Sequence, residues 1–222
     1  MIKQAFKRYL ETAVFIQHRI FPKLVNEYGI SNLKYDISIP ETYNEYLDRE
    51  YELRYKKYCD CADSMFGNIY YDNLLYDSSF MFTRYEEDND TMRYRIICPK
   101  RSIIEILYKC QDDNLVREYI EICLRHEIGH ILYIEECIKN IGIEHLSEYL
   151  YDESANFNKE YWSFYNELNE SDVADDDVLF DTETCKKYYS LAPESEANRC
   201  ANVNVDRLIE LELKVRSDVL YE

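Results

Sequence analysis

DNLVREYIEICLRHEIGHILYIEEC, residues 113–137, decides how the rest of this chain is read. Leu115, Tyr119 and Ile122 recur at three- and four-residue steps and run onto the face that carries His126 and His130, which is the period of an amphipathic helix. Asp112, Asp113 and Asn114 offer the short acceptor side chains that open a helix, so the spacing predicts one from there to about Cys137. Inside it, His126-Glu127-Ile128-Gly129-His130 fits the pattern H-E-x-x-H. Two imidazoles one helical turn apart point the same way and can grip a single metal ion. Glu127 flanks them, the place for a carboxylate that takes a proton from water without ligating the metal itself.

Outward from this helix the chain reads as mostly helical. Only four Gly and four Pro interrupt 222 residues, and a 46% hydrophobic content suffices for one core. One unit over 1–222 is expected, with a helical region over about 1–65. Phe6, Leu10, Val14, Ile20 and Leu24 predict a first helix over about 2–28, kinked or broken at Pro22. Residues 43–58 read as an exposed amphipathic helix. From 79 to 85 and from 92 to 98 the pattern alternates, with Phe80 and Phe82 in one run and Met92, Tyr94 and Ile96 in the other, and the turn-prone 86–90 lies between. A small β-hairpin beside the His126 helix follows. Leu146, Leu150, Phe157, Tyr161, Phe164 and Leu168 predict a helix over 145–168, and the acidic 170–177 a solvated loop. A final helix is expected from Pro193 to about Val219 on the stripe Ala197, Ala201, Val205, Leu208, Leu211 and Val215. Trp162 is read as core.

A formal charge of −18 repels phosphate backbones and anionic membrane surfaces, so neither nucleic acid nor membrane is an expected partner. The amino-terminal stretch lacks an apolar signal core, and no run approaches the roughly 20 apolar residues of a membrane helix. A cytoplasmic protein is expected. In that reducing setting the eight Cys are read as small buried hydrophobes, and Cys59-Asp-Cys61 lacks the spacing of a structural zinc pair.

Structural zinc sites recruit four Cys or His ligands, whereas two His and a carboxylate leave a position open for water, so the motif favours a catalytic Zn2+ site. The third ligand is sought in Glu194-Ser195-Glu196-Ala197-Asn198. Glu194 continues the stripe of Ala197, Ala201, Val205 and Leu208 and so faces the interior, while Glu196 does not. Asn198, one turn on, is placed to support the site from behind. Glu153 is the rival ligand, since it too lies on an apolar stripe at a helix-return distance from His130. Tyr188, Tyr189 and His145 are unranked candidates for stabilising an oxyanion.

The helix carrying HEIGH and the later helix start E-x-x-A-N resemble the gluzincin-type zinc metallopeptidases, most of all the ImmA/IrrE-like group often encoded by mobile elements. The matching residues are His126, Glu127, His130, Glu194, Ala197, Asn198 and Ala201, two short segments of the chain. The resemblance implies a zincin-like α+β fold, a peptidase acting through Zn2+, and a protein substrate, commonly a transcriptional regulator. The long separation of Glu194 from His130 implies a helical and acidic insertion over about 140–190. Two other classes of function compete with this reading: a zincin-fold binding protein without turnover, and an acidic mimic of nucleic acid.

Overall fold

The apolar period around residue 120 does produce a long helix, and the rest of the molecule is arranged on it. In the computed structural model, residues 2–30, 81–88, 91–98, 100–169 and 182–216 are described. They are mostly helical: α1 (Ile2–Phe15), a π turn (Ile16–Ile20), α2 (Phe21–Tyr28), α3 (Lys100–Lys109), α4 (Asp113–Ile141), α5 (Ile143–Asn169), α6 (Thr182–Tyr189), α7 (Ala192–Cys200) and α8 (Val205–Arg216). Between α2 and α3 lies an antiparallel pair, β1 (Phe82–Asp88) and β2 (Thr91–Ile97). The expected helix at 43–58, Cys59 and Cys61, the loop at 170–177 and the side chain of Trp162 fall outside the described residues.

α4 is buried along most of its length. Val116, Ile120, Leu124, Ile128 and Ile131 are fully enclosed, and each such side chain removed from water contributes roughly 1.5–3 kcal/mol before entropy is charged. Asp112 caps it, accepting from the amides of Asn114 at 2.9 Å and Leu115 at 3.2 Å. Arg8 of α1 donates to the Leu107 and Cys110 carbonyls at the end of α3 and to Asp113 in the first turn of α4. One guanidinium thus satisfies acceptors that a helix end leaves open and joins α1 to the α3–α4 corner.

The interruption expected at Pro22 takes the form of a π turn, and one other expectation about helix breaks is corrected. Pro22 lies in the first turn of α2, and the turn just before it widens: the Phe21 amide bonds the Ile16 carbonyl, five residues back. Proline lacks an amide hydrogen and its ring crowds the carbonyl four residues earlier, and the π turn divides α1 from α2 there. The single terminal helix predicted over 193–219 is instead two helices. Asn202 takes a left-handed φ of 51°, the Val203 amide bonds the Asn198 carbonyl at 2.9 Å, and the Asn202 amide bonds the Arg199 carbonyl at 3.2 Å. This pairing closes α7 at Ala201, after which Asn204 Oδ1 accepts from the Arg207 amide to open α8. The apolar stripe survives because both helices bury it on the same core.

In the hairpin, Met92, Tyr94 and Ile96 are buried, as their alternation predicts. The register pairs them with Glu87, Tyr85 and Thr83, and pairs Phe82 with Ile97. Thr83 therefore shares a face with Tyr85 and Glu87, and on that face its hydroxyl reaches α4. Five of the six described cysteines are buried and all six are free thiols. No described helix is long and apolar enough to cross a membrane.

Candidate metal centre

A helix places His126 and His130 side by side from local geometry alone; what completes the cluster is the crossing of α7 over α4. Gly129 lies at that crossing. A Cβ built there would stand 2.0 Å from the Ala197 carbonyl oxygen and 2.7 Å from its carbon, so only glycine permits this approach. Ala197 is itself fully buried. Glu194 lies one turn before it and Asn198 immediately after, and both come down onto the histidines. Tyr28 of α2 fixes the far end of α7: its hydroxyl donates to the Ala201 carbonyl at 2.7 Å and accepts from Arg125 at 3.1 Å.

His126 Nε2 and Glu194 Oε2 are 2.9 Å apart, the two His Nε2 atoms 3.2 Å, and His130 Nε2 and Glu194 Oε2 3.8 Å. His126 and Glu194 are buried and His130 is partly open, so the cluster is reachable from one side. Asn198 Oδ1 lies 2.9 Å from His126 Nδ1. An amide oxygen only accepts, so Nδ1 carries a proton and Nε2 is the nitrogen turned to the cluster. Burial alone would depress the His126 imidazole, but the Glu194 hydrogen bond and charge outweigh it and push it up to about 9. Burial raises Glu194 less than its bond to His126 and the charges of both histidines lower it, so it is held below the usual carboxylate range.

Glu127 is buried beside this cluster and accepts from Thr83 Oγ1 at 2.8 Å. The same hydroxyl lies 3.0 Å from the Glu127 carbonyl oxygen. Burial, with the Glu127 charge added, pushes the nearby Cys98 thiol up to about 12, which removes it as a nucleophile at neutral pH.

Among the remaining sequence candidates, Tyr188 lies close enough to Glu194 to help lower its carboxyl. The Tyr189 ring meets His126 edge-on at 5.7 Å, but its hydroxyl donates to Glu212 at 3.0 Å. His145 is exposed beside Glu144 and is not part of the cluster. Glu196 pairs with Arg199 at the surface. Glu153 is not brought to the histidines either: it accepts from Tyr133, whose hydroxyl also meets that of Tyr149 at 2.9 Å. Sequence reasoning missed Thr83, and no local signal could have found it, because a threonine in a strand is ordinary and its partner lies 44 residues away.

Among the described residues, His126, His130 and Glu194 form a group whose ligand atoms all lie within 4.8 Å of one another. Tetrahedral ligands about 2.0–2.1 Å from a zinc ion are separated by about 3.3 Å, and the three observed separations bracket that value. The donor set is also the right chemistry, two imidazole nitrogens and one carboxylate oxygen, with Asn198 accepting from Nδ1 of His126 so that Nε2 is the nitrogen turned to the cluster. No protein-family model, curated protein or solved structure matches this chain.

Proposed function

We propose that this chain is a zinc-dependent peptidase of zincin-like α+β architecture, with His126, His130 and Glu194 as the metal ligands and Glu127 as the general base. The observation that carries the reading is the convergence of those three ligand atoms beside a second, buried carboxylate, Glu127, that is not one of them. Among the described residues the group holds three ligands rather than four, which favours a site with an open position over a structural one. The resemblance of HEIGH and of the E-x-x-A-N segment to the ImmA/IrrE-like metallopeptidases points the same way, and suggests a cytoplasmic protein substrate such as a transcriptional regulator.

Zinc bound there supplies a Lewis acid, acidifying water and polarising a carbonyl. The chain does the rest. Asn198 holds the proton on His126 Nδ1 so that Nε2 stays available. Glu127 takes a proton from the attacking water on its carboxylate and returns it to the amine that leaves. Tyr188, close to Glu194, helps keep that carboxyl ionised.

The test is metal analysis of wild type and of H126A, H130A, E194A, E153A and E127Q, each checked for folding by circular dichroism, together with hydrolysis of a mixed library of quenched fluorescent peptides. About one zinc per chain is expected in wild type, E153A and E127Q, and none in the other three. E127Q should lose roughly 10²–10⁴-fold in turnover while keeping its metal. A folded wild type that takes up no zinc, or a zinc-loaded E127Q of full activity, would overturn the proposal.

A further inference from the structure

Thr83 has no role in the reading so far, yet among the described residues its hydroxyl is the hydrogen-bond partner of the Glu127 carboxylate. It arrives from β1, an element separate in sequence from α4, and its β-branched side chain is stiff about χ1. Glu127, by contrast, has three rotatable bonds on a helix whose geometry points it about 80° away from the centre of the histidine face. Something outside the helix must choose its rotamer.

We propose that Thr83 is the positioning residue for Glu127, holding the carboxylate in the orientation from which it serves water at the candidate metal centre; this rests on the peptidase reading above. The hydroxyl has one hydrogen and two acceptors on the same residue, Oε2 at 2.8 Å and the backbone carbonyl at 3.0 Å. While Glu127 is a carboxylate, Thr83 donates to Oε2. Thr83 thus fixes one oxygen of the carboxylate from outside the helix. Valine has the same shape and cannot make this bond, whereas serine retains the hydroxyl.

The experiment uses the full chain loaded with zinc, as wild type, T83V, T83S, E127Q and T83V/E127Q, assayed on the quenched peptide library. T83V should keep its zinc and its KM within about twofold and lose roughly 10–100-fold in kcat, and T83S should recover most of that loss. On the E127Q background T83V should cost nothing further, because no base is left to orient. A readout independent of activity is denaturant unfolding of the metal-free protein with E127A and T83V/E127A added to the set: the midpoint shifts of T83V and E127A should fail to add in T83V/E127A. Unaltered kcat in T83V, or T83S as impaired as T83V, in an otherwise active protein overturns this inference alone. A zinc-loaded wild type no more active than E127Q overturns the peptidase reading and this inference with it, while the unfolding cycle still reports whether the two side chains touch.

Discussion

Replacing Gly129 with alanine tests the helix crossing on which the whole site depends. In an ordinary exposed helix that change stabilises by up to about 1 kcal/mol, because glycine is the poorer helix former. Here the added Cβ meets backbone at 2.0 Å, and backbone cannot rotate aside. Reaching an ordinary contact of about 3.4 Å requires α7 to move about 1.4 Å from α4. Overpacking of this kind costs about 1–3 kcal/mol or more, so the net effect is a loss of roughly 1–2 kcal/mol after the helix gain. The larger consequence falls on the cluster. Glu194 and Asn198 both ride on α7, and their contacts to His126, each 2.9 Å, do not survive a displacement of that size. Zinc affinity should fall by at least about 10-fold. The assay is competition for zinc against a chromophoric chelator, run beside denaturant unfolding of the metal-free protein. A G129A chain that binds zinc as wild type does and is more stable would refute the argument that glycine is required at this crossing.

Asn198→Ala should weaken zinc binding by about 10–100-fold in the same competition, since His126 loses the acceptor that fixes its tautomer. Its cost to folding should be small, because Nδ2 of Asn198 is buried without a partner among the described residues and the substitution removes that donor as well; unchanged affinity would remove Asn198 from the site. Arg125→Met tests the ion network between α2 and α4. The Arg125 guanidinium holds Glu27 below its ordinary value of 4.5, and Lys23 and Arg125 together outweigh burial to lower Glu121. These carboxylates are lowered in the folded state, so their contribution is complete above about pH 4.5 and is lost as pH falls through the lower folded values. For such partly exposed pairs the expected loss in the variant is about 1 kcal/mol near neutral pH, shrinking toward zero in acid. Unfolding of both metal-free proteins across pH, with a difference that stays constant into acid, would contradict that assignment.

Local chemistry made much of this molecule legible before any tertiary contact was known. The cap at Asp112 and the three-and-four spacing behind it fix α4, and a helix then places His126 and His130 on one face whatever surrounds it, because 3.6 residues make a turn. The facial argument that turns Glu194 inward and Glu196 outward is equally local, and so is the alternation that buries Met92, Tyr94 and Ile96. The end of α7 was not legible, because the stripe through Ala201 and Val205 continues in register across a break made by hydrogen bonds around Asn202. Nor could spacing choose between Glu194 and Glu153, which both lie on inward stripes. The choice is made by which helix crosses α4 at Gly129, and that depends on a missing Cβ meeting the Ala197 backbone across 68 residues of chain. Thr83 belongs to the same class: its bond to Glu127 exists only because the hairpin register brings that side of β1 against α4. The sequence by itself determined α4, the inward faces of Glu194 and of the hairpin's second strand, and the two imidazoles, since those follow from period and capping within a few residues. Only the tertiary structure decided which carboxylate joins them and which hydroxyl holds Glu127, because contacts between distant segments are set by how closely their backbones can approach.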